Sequence, residues 1–228
     1  MISSVIFEET GGRWPVGGSE RQPYFHGRVS YNFVMKSSPA AHTSRDTLRI
    51  DAATGLIRGV RYVPSPNFDA RPEGAPIDTL VIHAISLPPG KFGGPGIEQL
   101  FCNRLDPREH PYYDEINDLK VSAHVLIRRD GELVQFVPLH ERAWHAGRSY
   151  CDGRARVNDF SIGIELEGDD ALAFEDAQYQ ALVGLTRAIR ETYPAITPAR
   201  IYGHGDIAPG RKTDPGPRFD WKRYLATV

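Results

Sequence analysis

At 228 residues the chain is long enough for one domain with a full core, or one domain plus an appendage. Its formal net charge of -2 gives no global basic field of the kind that captures nucleic acid or anionic membrane, and its two cysteines, Cys102 and Cys151, lack the spacing of a disulfide framework or a thiolate metal cluster. No apolar run approaches the roughly 18 residues of a membrane span, and the opening MISSVIFEETGGRW carries neither a basic n-region nor a continuous apolar stretch, so a soluble cytoplasmic protein is expected.

Residues 1–47 are expected to be an extension rather than a domain. Glycines and prolines interrupt every apolar group there, and YNFVMK offers one short strand without a sheet to join. The texture changes at Ile50, where GLIRGVRYVPSPNFDARP reads as a short strand followed by coil. DTLVIHAIS is a near-continuous β-branched run suited to a buried central strand, with His83 near its end. Residues 86–118 form a long, aromatic-bearing insertion with a helical pattern from Ile97 to Phe101. VSAHVLI and ELVQFVP flank Arg129-Asp130-Gly131, and Asp-Gly between two apolar strands signals a hairpin. Trp144 and His145 follow in AWHAG, at a bend where an aromatic wall and a catalytic role are both open.

SIGIELEG is a strand by alternation. Ile162, Ile164 and Leu166 share one face; Ser161, Gly163, Glu165 and Glu167 share the other, with the two carboxylates about 7 Å apart along the strand. A solvated face is the plain reading of that pair, since a general base needs a cleft to look into. Apolar residues at Tyr179, Leu182, Val183, Ile189 and Tyr193 predict a helix from Asp176 to Tyr193, stopped by Pro194. Between Ile201 and Asp220 the chain sets His204, Asp206, Arg211, Lys212 and Asp214 among Gly203, Gly205, Pro209, Gly210, Pro215, Gly216 and Pro217, which reads as a loop. His204 and Asp214 are nitrogen and oxygen donors suited to zinc, provided the rest of the chain supplies further ligands. WKRYLATV predicts a short closing helix. Interleaved strands and helices with one hairpin make the expected class α/β, a central mixed β-sheet flanked by helices.

In their order and spacing, LVIHAIS, PPGKFGGPGIEQLF, VSAHVLIRRDGELVQFVP, WHAG, NDFSIGIELEG and GHGDIAPGRKTDPGPRFDW resemble the AmpD family of zinc N-acetylmuramoyl-L-alanine amidases over roughly residues 50–225. The resemblance implies a peptidoglycan-recognition-like amidase domain over 48–228. It implies zinc held by His83, His204 and Asp214, with a fourth position left for water. It selects Glu165 over Glu167 as the acid/base and Lys212 as the cation beside the reacting carbonyl. Ala84 stands where the family often has Asn, which leaves open any role for a polar side chain there. The implied reaction cuts the amide between the lactyl group of (1,6-anhydro-)N-acetylmuramic acid and the L-alanine of the stem peptide. A muropeptide is thus the expected partner of a monomeric enzyme. Stem peptides carry carboxylates, so Lys120 and Arg156 are candidate substrate contacts, with Arg154 a third. A non-catalytic murein-binding module and an amidase acting on intact murein are the competing readings.

Overall fold

The computed structural model describes residues 48–228; the expected extension 1–47 and its YNFVMK strand lie outside the described residues. Six strands form one sheet: β1 (Arg61–Tyr62), β2 (Thr79–Ile85), β3 (Val125–Ile127), β4 (Leu133–Gln135), β5 (Ser161–Glu167) and β6 (Ile201–Gly203), in the spatial order β6-β2-β5-β3-β4-β1. β2 and β5 are the longest, at 7 residues each, and β5 is buried along its whole length, as the apolar runs at the centre of a covered sheet require. β2 runs parallel to β5 and β6, β5 to β3, and β1 to β4; only β3 and β4 pair antiparallel, through the predicted Asp-Gly hairpin, where Gly131 takes a φ of 88°. The sheet is mixed, as expected.

Alternation along the two central strands divides the interior. Leu80 and Ile82 of β2, with Ile162, Ile164 and Leu166 of β5, pack on Tyr179, Leu182, Leu185 and Ile189 of the long helix and on Phe219 and Tyr224. That helix spans Asp176–Thr192. It opens with the Gln178 carboxamide oxygen accepting from the Glu175 amide at 3.0 Å, and it stops before Pro194, which disfavours helical geometry at Tyr193. The opposite face carries two separate apolar clusters. Ile85 joins one, with Leu126, Val134 and Phe136; Val81 joins the other, with Ala146, Val157, Phe160 and Ile207. His83 lies between Val81 and Ile85 on that face, so the strand's period of two puts it at the seam between the clusters.

Three expectations need correction. The stretch from Ile201 to Asp220 is not all loop: Ile201–Gly203 pairs with β2, and His204–Ile207 makes one turn of helix. The Asp206 carboxylate secures that turn by accepting from the Gly203 amide at 2.7 Å, and one turn is too short for Gly205 to matter or for Pro209 to prevent. Within the 86–118 insertion, Gly96–Phe101 forms the expected helix, but Pro111–Ile116 forms a second. His110 Nδ1 accepts there from the Tyr112 amide at 3.1 Å, and Pro111 occupies the first turn, where no amide hydrogen is needed. Glu167 is not on a solvated face. It is 1% exposed, and its carboxylate accepts from Arg128 Nη1 at 3.0 Å and from the amides of Gly93 and Arg129 at 2.7 and 3.3 Å.

Candidate active site

Parallel pairing and the loop after β6 bring the site together. His83 and Glu165 are direct partners across β2 and β5, on the same sheet face. β6 lies on the other side of β2 and ends at Gly203, so His204 emerges beside His83 at the carboxyl ends of the strands, where open parallel sheets place their sites. Asp214 returns to the same point, tied by the Gly205 amide donating to its carbonyl at 2.9 Å.

Three donor atoms converge. His83 Nδ1 lies 3.0 Å from His204 Nδ1, and Asp214 Oδ2 lies 3.1 Å from each. All three side chains are buried. Protons alone satisfy such a triangle poorly. His204 Nε2 faces the Ala146 carbonyl at 3.2 Å and Arg211 Nη2 at 3.4 Å; donation to the carbonyl leaves Nδ1 of a neutral ring as a lone pair pointing inward. Burial pushes His83 down to about 4, so that ring is neutral at physiological pH. Burial opposes ionisation of Asp214, but the two neighbouring histidines outweigh it and hold the carboxyl below the usual range. Its second oxygen, Oδ1, is buried without a hydrogen-bond partner among the described residues. Two lone pairs and a carboxylate with an orphaned oxygen fit a cation. The cluster is compatible with a metal site.

Glu165 and Lys212 stand beside it, 9% and 7% exposed. Glu165 Oε2 has no hydrogen-bond partner among the described residues. Burial first, then the charge on Asp214, pushes the Glu165 carboxyl well above the usual range, with Lys212 opposing. Burial lowers the Lys212 ammonium, with the Asp214 carboxylate opposing.

Over residues 73–217 the chain matches the family of N-acetylmuramoyl-L-alanine amidases designated Amidase_2. The chain belongs to this amidase family. It is 59% identical over 174 residues to 1,6-anhydro-N-acetylmuramyl-L-alanine amidase AmpD of Escherichia coli K12, a match covering 76% of this chain and 94% of the relative. The AmpD of Haemophilus influenzae is 52% identical over 178 residues, covering 78% of this chain and 97% of that one. A crystal structure of a selenomethionine AmpD derivative superposes with a TM-score of 0.76 at 57% identity, covering 78% of this chain and 98% of the other. The fold and the hydrolase class are those of this family.

Within this amidase domain the residues singled out from sequence divide. His83, His204, Asp214, Glu165 and Lys212 come together. Lys120 and Arg156 do not join them: both are exposed, Arg156 pairs with Asp159 at 2.7 Å, and among the described residues no hydrogen bond or ion pair links either to the cluster. Arg154 is engaged elsewhere, with Asp78 at 3.0 Å and over the Phe160 ring at 3.7 Å. His145, left open between wall and catalyst, proves to be a polar partner, its Nδ1 lying 2.9 Å from His83 Nε2. Its signal in the sequence was small Gly163, two residues before Glu165: a Cβ at Gly163 would lie 2.4 Å from the His145 ring.

Proposed function

We propose that this amidase hydrolyses the bond between the lactyl group of 1,6-anhydro-N-acetylmuramic acid and the L-alanine of a stem peptide, with one zinc ion held by His83, His204 and Asp214. The observation that carries the proposal is the convergence of those three donors beside Glu165 and Lys212, in a chain so similar to AmpD enzymes over nearly their full length. Two imidazoles and a carboxylate are the three-ligand set of catalytic zinc, which keeps one position open. Bound there, zinc supplies a Lewis acid that lowers the pKa of water from 15.7 toward about 7.

The chain's own groups divide the remaining work. Glu165, held opposite His83 by strand register, has a free carboxylate oxygen with which to take the proton of the attacking water. Its raised proton affinity suits the second half of the cycle, in which it delivers that proton to the departing alanine nitrogen. The Lys212 ammonium opposes the negative charge that grows on the carbonyl oxygen. Lys120 and Arg156 remain our candidates for the peptide carboxylates, and their exposure leaves both heads accessible. Recycling of soluble fragments places the enzyme in the cytoplasm. Both cysteines are free, which suits a reducing compartment.

Metal analysis paired with two substrates tests the proposal. Purified protein should contain one zinc per chain and should release the peptide of soluble anhydromuramyl-tripeptide far faster than it attacks intact sacculi. Full turnover after exhaustive chelation would remove the metal, and equal rates on the two substrates would remove the preference for recycled fragments.

A further inference from the structure

Behind the three-donor cluster, His83 continues into a line of buried polar groups, His145 and Ser161, that the chemistry above does not use. His83 Nε2 lies 2.9 Å from His145 Nδ1, and His145 Nε2 lies 3.2 Å from Ser161 Oγ. His83, His145 and Ser161 are 1%, 8% and 0% exposed. The place of His145 is built from three sides. Asn158 Oδ1 accepts from the amides of His145 and Ala146, at 3.2 and 2.8 Å, and so fixes the bend that presents the ring. Gly163 leaves the slot the ring fills. The third side is His124, whose ring centroid lies 5.7 Å away and whose Nδ1 accepts from the Gly163 amide at 2.9 Å.

The polarity of this line decides whether His83 can bind a metal. An imidazole that ligates through Nδ1 must carry its proton on Nε2. That proton needs an acceptor, and the atom in place is His145 Nδ1. His145 can accept there only as its Nε2–H tautomer, whose proton then meets the Ser161 hydroxyl oxygen. Reversing the line, with Ser161 donating to His145 and His145 donating to His83, would put the His83 proton on Nδ1, against His204 and Asp214. We propose that His145 is a positioning residue for the metal: it holds His83 in the Nε2–H tautomer and in the ring orientation that aims Nδ1 at the ion. Partners that orient a metal-binding histidine raise affinity for the ion by about 10- to 100-fold.

This inference rests on the zinc reading, and its test separates the two. Leu and Asn are close in shape, yet only Asn has an oxygen near the place of His145 Nδ1 able to accept from His83. Zinc dissociation constants are measured by chelator competition for wild type, His145→Leu and His145→Asn, with thermal melts of the metal-free proteins. His145→Leu should bind zinc about 10- to 100-fold more weakly, and His145→Asn should stay within about threefold of wild type. Equal affinity in all three, or equal losses in the two variants, would overturn the proposal. A wild type that binds no zinc would overturn the metal reading first and this one with it. If His145→Leu does not fold, wild type alone suffices: nitrogen NMR of the zinc-loaded protein should show the His83 Nε2 proton with a coupling across the hydrogen bond to His145 Nδ1. A His83 proton on Nδ1, or a missing coupling, overturns the assignment.

Discussion

Lys212 illustrates how far a single residue can be read from its position. It sits two places before Asp214, in a segment whose main chain is tied at Gly205 and Ala208, so the fold that sets the carboxylate also sets the ammonium. A solvated loop lysine could be removed at a cost of less than about 0.5 kcal/mol, whereas a charge partner lost from a preorganised site lowers turnover by about 100- to 1,000-fold. The Lys212→Ala variant should keep its zinc and near-normal KM while kcat falls at least about a hundredfold. A raised KM with unchanged kcat would make Lys212 an anchor for substrate carboxylate instead. Glu165 allows a sharper comparison with its neighbour on the strand. Glu165→Gln should bind zinc, melt near wild type and lose about 100- to 10,000-fold in kcat. Glu167→Ala should instead lower the melting temperature while leaving the zinc donors in place, because it strips one of two carboxylate partners from the buried Arg128 guanidinium and leaves Glu98 to hold the other side.

Glu167 belongs to a clamp that joins elements rather than to the chemistry. Arg128, just past β3, reaches Glu98 at 2.7 Å and Glu167 at 3.0 Å, and also donates to the Gly94 carbonyl at 3.0 Å. Arg61 on β1 grips Glu98 with both terminal nitrogens, at 2.9 and 2.8 Å. The helix Gly96–Phe101 and the glycine turn before it are thereby fastened to the sheet. Hydrogen bonds from Arg61, and then from Arg128, hold Glu98 down from 4.5 to about 2, against some desolvation. A carboxyl depressed in the folded state contributes stability above its unfolded pKa and loses it as pH falls toward the folded value. Wild type should therefore be more stable than Glu98→Gln at neutral pH, and the gap should close between pH 4.5 and about 2. Paired denaturation curves across that range check it; a gap that stays constant would mean that ionisation of Glu98 adds nothing.

For the whole molecule, the question is how much chain the enzyme needs. The match to the Escherichia coli relative takes in 94% of that protein but only 76% of this one, and the family match begins at residue 73. A chain starting at Leu48 should keep its zinc, its melting temperature within a few degrees of full length, and its rate. Loss of solubility or activity would give the first 47 residues a part in the domain. Among the described residues no helix is long and apolar enough to cross a membrane.

The sequence by itself determined what depends on local pattern and residue type. The β-branched run around His83, the alternation of SIGIELE, the Asp-Gly hairpin and the helix ending before Pro194 each follow from chain geometry acting over a few residues. Motif order and spacing also carried the resemblance to the amidase family to which the chain belongs, and that resemblance pointed to the three donors that converge. Tertiary structure decided what depends on partners distant in sequence. Glu165 and Glu167 occupy one strand face and differ by two positions, yet strand register sets the first beside His83, while Arg128 and the Gly93 amide claim the second. Alternation could say that they share a face, but not what covers that face. Resemblance ranked Arg156 above Arg154 as a substrate contact, but only the fold showed their partners, Asp78 and Phe160 for Arg154 and Asp159 for Arg156. His145 gained its place only when the bend held by Asn158 met the gap at Gly163. Residue type limits what a side chain can do; its neighbours, brought in by packing from far along the chain, decide which of those things it does.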